Sequence, residues 1–258
     1  MRTKGFGLLL KHMLGSIATT GPTDSTFTHT ASLAAMQGLG LTYQKGVGLE
    51  QNTLVEPFTY NGGKVTKWQL ECALDGILML KVSLDGQNET QATALAVAVY
   101  PSGDELLTFV GGSITIAGAV YDVIKKITIT CDNTLAADRR FLRGSALQKE
   151  QMDASWRNID VTIESEFQSL TQYNRYAAAT AAGTLAAVVA TWTGPTLAGA
   201  STFPSLTVTM PACRFDGKTP VINGVGLLDQ PLKAAVLNTA GGTNDAITLA
   251  YVTTDSTP

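Results

Sequence analysis

The feature that most constrains this chain is a period-two alternation of apolar and polar residues along most of its 258 positions, broken at short intervals by Gly, Pro, Asn and Asp. Successive side chains of an extended strand point to opposite faces, so this pattern suits half-buried β-strands and not helices. It predicts strands near 31–43, 64–74, 77–84, 92–100, 104–110, 114–117, 121–131, 157–167, 184–192, 205–210 and 246–253. Turn chemistry separates them at Asn61-Gly62-Gly63, Asp75-Gly76, Asp85-Gly86, Pro101-Ser102-Gly103 and Gly111-Gly112. Asp75-Gly76, between two alternating runs, is the strongest hairpin signal. In 67–75, Trp68, Leu70, Cys72 and Leu74 share one face, opposite Gln69, Glu71 and Asp75. In 157–167, Ile159, Val161, Ile163 and Phe167 share a face opposite Asp160, Thr162, Glu164 and Glu166. Like charges along one strand face repel, so the second pattern needs a reason.

Helical signals are few. Residues 169–182, SLTQYNRYAAATAA, open on Ser169 as a plausible N-cap and stop at Gly183. Residues 134–150 read as a helical turn or a loop. Residues 5–15 read as a short amphipathic helix or an arm ended by Gly15, and the Thr-, Ser- and Gly-rich 16–31 as an extended arm or loop. Without a clean linker or repeat, the chain reads as mainly β: one β-sandwich or barrel domain over 31–258, a flanking α-helix, and extended terminal arms that include residues 1–30.

Charge bears on the surface such a domain presents. Only 15% of residues are charged while 45% are hydrophobic, below the charge of an average soluble domain, so part of the surface is expected to be covered by other subunits. A net charge of −3 and a pI near 5.4 argue against an ordinary phosphate-binding surface. The densest basic group, Arg139, Arg140 and Arg143, is shared with Asp138 and reads as a solvated turn. Cys72, Cys131 and Cys213 lie far apart in apolar or alternating stretches, which suits buried free thiols and a reducing compartment. Lys11 and His12 interrupt the apolar opening MRTKGFGLLLKHMLGS, no small-residue cleavage site follows, and no apolar run reaches 18 residues. Neither a secretory signal nor a membrane span is therefore expected, and Asn88-Glu89-Thr90 reads as a chance sequon.

Catalytic readings find little support. His12 and His29 are the two histidines, both in the N-terminal arm, where a preorganised nucleophile–base pair is improbable. The G-x-S-x-G, H-E-x-x-H and C-x-x-C patterns are missing, and Gly38-Leu39-Gly40 and Gly46-Val47-Gly48 lack the third glycine of a phosphate cradle. Glu164 and Glu166 could suggest a glycosidase pair, but no cleft is signalled. The expectation is a non-enzymatic protein with no cofactor and no metal. The rival classes are a secreted or virion-surface β-sandwich that binds carbohydrate or decorates a capsid, and a tail terminator ring protein.

In order and spacing the chain resembles the tail tube proteins of siphophages. The opening Lys4-Gly5-Phe6-Gly7-Leu8-Leu9-Leu10-Lys11 with Leu14-Gly15-Ser16 looks like that family's N-terminal segment. Phe58-Thr59-Tyr60-Asn61-Gly62-Gly63-Lys64-Val65 leading to Trp68 resembles its entry into a central hairpin. The run ITITCDNTLAADRRFLRGS (127–145) is similar to its strand-to-loop link, and Pro211, Phe215-Asp216-Gly217, Pro220 and Gly224-x-Gly226 also fit. The resemblance implies a tail-tube-type sandwich or barrel, six copies per ring, and rings stacked by arms into a hollow tube that conducts phage DNA at ejection. It implies assembly in the host cytoplasm and location in the virion tail. Partners would be the chain itself, a tape measure protein inside the tube, terminator and distal tail proteins at its ends, and double-stranded DNA in transient, non-specific passage, with no membrane insertion. Gln69, Glu71, Asp160, Thr162, Glu164 and Glu166 would line an acidic lumen on adjacent strands, where negative charge lets DNA slide. Phe6, Leu8, Leu9, Leu10 and Leu14 would form the inter-ring arm.

Overall fold

At Asp75-Gly76 the backbone turns as its residues require: Asp75 adopts a positive φ of 59° and the Gly76 amide closes onto the Ala73 carbonyl at 3.1 Å. The computed structural model that shows this describes residues 1–50, 54–136, 138–177, 184–217, 228–238 and 246–258. Its elements in chain order are α1 (Gly7–Leu14), β1 (Gly15–Thr23), β2 (Thr26–Leu33), β3 (Leu41–Gly48), β4 (Val55–Ala73), β5 (Met79–Asp85), β6 (Asn88–Thr90), β7 (Gly112–Ile116), β8 (Ala119–Val120), β9 (Ile124–Asp132), β10 (Asn158–Glu166), α2 (Leu170–Ala177), β11 (Ala186–Thr193), β12 (Ser205–Gly217), β13 (Asp229–Val236) and β14 (Thr248–Thr253).

All pairings are antiparallel and join one continuous sheet that folds into two layers over a common core. One layer runs β5–β4–β9–β10–β13 to the C-terminal part of β12. The other runs β1–β2–β14, the N-terminal part of β12, then β11, β7 and β8. Strand β12 passes between the layers: residues 205–209 pair with β14 and 213–217 with β13. Pro211 lies between the two, where the register against β11 shifts. A proline that cannot donate to a ladder is tolerated at such a bulge, and the bulge bends the strand.

The core is built from the residues that the alternation turns inward. Trp68, Leu70, Ile129, Val161 and Ile163 from one layer and Val188, Trp192, Leu206, Val208, Leu249 and Tyr251 from the other are 0–2% exposed. Each such side chain contributes about 1.5–3 kcal/mol through burial. All three cysteines are buried and free, and burial pushes the Cys131 thiol up to about 12 and that of Cys213 to about 11.

The N-terminal segment packs where an arm was expected. Leu10, Met13 and Leu14 form an i, i+3, i+4 stripe on α1 and are fully buried in the core. Phe6 and Leu9 are partly buried against it, and of the five arm residues Leu8 alone is exposed, at 50%. Within the single chain these side chains are thus bound to their own subunit. Gly15 ends the helix at φ 109°, and a Cβ there would meet the Ala34 carbonyl oxygen at 2.2 Å. The segment read as an extended arm or loop is the β1–β2 hairpin.

Three other expectations change. Asn61-Gly62-Gly63 is no turn: it lies inside the 19-residue β4, whose first part pairs with β3 and β6 and whose second part pairs with β9 and β5. Gly62 takes φ +65° there, and the Gln87 side chain fills the space a Cβ would need. Residues 92–100, read as a strand, join no ladder among the described residues, and 104–110 contributes bridges and one 3-10 turn. Ser169 does cap α2, accepting from the Thr171 amide at 3.3 Å; residues 178–182 of the expected helix and its Gly183 stop lie outside the described residues.

Candidate functional site

The candidate site is the polar face of the layer β5–β4–β9–β10–β13, the side opposite the core. On β10, Ile159, Val161 and Ile163 are buried while Asp160, Thr162, Glu164 and Glu166 lie on the other side. On β4, Trp68, Leu70 and Cys72 point inward, opposite Gln69 and Glu71. The six residues expected along a channel therefore do share one face of one sheet.

The two strands are not neighbours, contrary to expectation. Strand β9 lies between them, pairing Trp68 with Cys131 and Ile159 with Cys131 across its two edges. The sequence did predict β9, near 121–131; what strand-by-strand reading could not supply was its place in the sheet. The register builds cross-sheet rows: Lys81–Gln69–Thr130–Asp160–Ala235, then Met79–Glu71–Thr128–Thr162–Lys233, then Ala73–Lys126–Glu164–Pro231.

This register changes the electrostatics. Glu71 is bridged by Lys81 at 3.2 Å and Lys126 at 3.2 Å, and its carboxyl is held below the usual range, chiefly by the hydrogen bond from Lys81 and then that from Lys126. Lys125 bridges Asp229 at 2.8 Å and Glu166 at 3.2 Å, which raises its own pKa, with Asp229 the larger cause. Lys67 pairs with Asp132 at 2.7 Å and holds that carboxyl down. Among the described residues, Asp160 and Glu164 alone of the expected carboxylates have no ion-pair partner; Asp160 accepts one hydrogen bond from Asn158 Nδ2 at 3.2 Å. The face is thus charge-mixed and not uniformly acidic, with two carboxylates on β10 outside any ion pair among the described residues. Lys81, Lys125 and Lys126 were missed because they sit on strands other than the two singled out, whereas Lys67 opens one of those two; Lys125-Lys126 near the start of β9 was the available signal.

The face is held in place by the connection 133–157. Asn133, fully buried, donates from Nδ2 to the Val65 carbonyl of β4 at 2.8 Å and the Met13 carbonyl of α1 at 3.2 Å. Arg157 donates to the Leu14 carbonyl at 2.5 Å and to the Ala34 carbonyl. Lys64 is buried, and its ammonium reaches Glu150 at 2.6 Å and the Met36 carbonyl at 2.5 Å. The Arg139 group is partly tied as well, with Arg139 donating to the Glu150 carbonyl and Arg143 to that of Leu147 at 2.7 Å. The described residues of 134–150 are accordingly a pinned loop, the second of the two readings.

Two further features concern other copies. The edge of β5 away from β4 is unpaired among the described residues. The paired strands β3 and β4 carry Val47, Leu49, Leu54 and Val55 at or near their free ends, 36–57% exposed. A two-stranded ribbon is marginal alone in water, and open strand edges template pairing.

The family model for phage tail tube proteins matches residues 2–253. The chain belongs to the phage tail tube protein family. Among curated proteins none matches. Membership gives the chain a structural role in the virion tail and implies self-assembly into a tube. No described helix is long and apolar enough to cross a membrane, and no group of described residues could hold a metal ion.

Proposed function

We propose that the chain is the major tail tube subunit of a siphophage, forming six-fold rings that stack into a hollow tube and conduct DNA at ejection. The observation that carries this reading is the layer β5–β4–β9–β10–β13, sealed by core on one side, polar on the other and open at the β5 edge. Repeating that layer around an axis would pair the open β5 edge with the next copy and close the layer into a barrel. Its polar face then lines the channel. With bases balancing most acids, phosphates meet no cationic track that would retain them by counterion release, and Asp160 and Glu164 supply weak repulsion.

On this reading the tape measure protein occupies the lumen before DNA does, terminator and distal tail proteins close the tube ends, and assembly takes place in the host cytoplasm. Native mass spectrometry and electron microscopy of the purified chain test the proposal. Six-fold rings or tubes support it; a chain that stays monomeric at high concentration near physiological conditions contradicts it.

A further inference from the structure

Residues 92–100, ATALAVAVY, contradict their surroundings. By pattern they form a strand, with Leu95, Val97 and Val99 on one face and Ala94, Ala96, Ala98 and Tyr100 on the other. Both faces are apolar, the signature of a strand covered on two sides. Yet every residue from 91 to 103 is exposed, Val97 to 89%, Val99 to 87% and Tyr100 to 86%. From Thr90 to Gly103 there is no charged side chain and no proline before Pro101. An uncharged, β-branched stretch left bare in this way is an aggregation hazard unless another chain covers it.

The segment is also partly set as a strand. Gln44 of β3 donates to the Ala94 carbonyl at 3.1 Å and accepts from the Ala96 amide at 2.8 Å. One side-chain amide thereby makes the two bonds, to the carbonyl of residue i−1 and the amide of residue i+1, that one residue of a neighbouring strand makes in a parallel ladder. Leu95 lies over Gly46, where a Cβ would come within 2.9 Å of it. Beyond Ala96, residues 97–100 make no backbone hydrogen bond among the described residues.

We propose that residues 92–100 add as a strand to the outer edge of β1 in a second copy of the chain. Strand β1 is nine residues long, ends its sheet, and pairs with β2 alone among the described residues. It carries no charge from Gly15 to Thr23, so its edge lacks the lysines that ordinarily guard one, and Pro22 interrupts it near the tip. Among the described residues the other open edges belong to β5, which carries Lys81 and Asp85, to β3, which carries Lys45, and to β6 and β8, which are only three and two residues long; an apolar strand would desolvate the charges of the first two. Length and neutrality therefore match the segment to β1. Donor and acceptor are different surfaces, so the contact is head-to-tail and propagates into rings or filaments.

This inference rests on the tube-subunit reading, and hydrogen exchange separates the two. In dispersed subunits the amides of 97–100 should exchange freely; in assembled tubes they and the outward-facing amides of 15–23 should slow by about 100-fold or more. The double variant Val97→Lys, Val99→Lys should fold with an unchanged melting temperature, since both side chains are already exposed, and fail to assemble. Tubes in which 92–100 stays unprotected, or a double variant that assembles like the wild type, overturn this inference alone. A wild-type chain that never assembles overturns the tube reading with it.

Discussion

Replacing Glu150 with Gln tests whether the 133–157 connection is pinned by a buried charge. The Lys64 side chain is 1% exposed and its ammonium has two partners, Glu150 and the Met36 carbonyl. Removing one member of a buried pair generally costs 3–5 kcal/mol, because the remaining charge is left uncompensated. Glu150 is 36% exposed and a glutamine oxygen can still accept, so the expected loss is smaller, about 2–3 kcal/mol. For a chain of this size that lowers the melting temperature by roughly 5–10 °C. Lys64→Met removes the ammonium itself. The Met36 carbonyl keeps the Leu39 amide as a donor at 3.2 Å, and the freed Glu150 carboxylate is partly solvated, so this change should cost only about 1 kcal/mol. Urea denaturation of dispersed subunits measures both, with Glu150→Gln the more damaging and the double variant close to Lys64→Met. Lys64→Met costing more than Glu150→Gln would refute the claim that the ammonium is the group needing compensation.

Three further outcomes follow from the same contacts. Leu10→Ala should destabilise the subunit by about 2–5 kcal/mol in thermal or urea unfolding, and deleting residues 2–15 should abolish folding, because α1 completes its own core. Asp24, at the β1–β2 turn, accepts from the Ala200, Ser201 and Thr202 amides at 2.7–2.9 Å, and these bonds, led by that from Ser201, hold its carboxyl well below the usual range. A depressed folded pKa stabilises above the unfolded value of about 4 and is lost as pH falls through the folded value. Hydrogen exchange at the hairpin tip should therefore separate Asp24→Asn from wild type at neutral pH and converge in strong acid. Finally, Asp160→Lys with Glu164→Lys should leave tubes intact yet slow DNA ejection from reconstituted particles, with the defect easing as salt rises.

Much of this architecture was legible in residue order, and the failures have physical causes. Alternation in 67–73 and 158–166 gave the right faces because one side of each strand meets the core, whereas Leu74, ranged with the core residues, lies past the end of β4 and is 55% exposed. The Asp75-Gly76 turn was readable because its chemistry is local. Gly62-Gly63 misled because glycine serves a bulge inside a long strand as well as a turn. Strand β13 was passed over because Pro231 sits within it; among the described residues its ladder to β12 ends at Leu232, so β10 is its one partner there. The hairpin β1–β2 was hidden by Thr- and Ser-rich composition that reads as loop. The candidate face was legible strand by strand, but its charge balance was not: Lys126 and Lys125 meet Glu71 and Glu166 through pairings between distant segments, and only the Lys81–Glu71 pair lies across the legible hairpin. Residues 92–100 are the converse case, a strand pattern that joins no ladder among the described residues of its own chain.

The most direct test of the account is a cryo-electron microscopy reconstruction of tubes assembled from the purified chain, at a resolution that resolves strands. The account predicts stacked six-fold rings with the polar face of β4, β9 and β10 turned to the channel and Asp160 and Glu164 nearest the axis. Tubes with that face on the outer surface, or with its strands outside a continuous inner barrel, would contradict it.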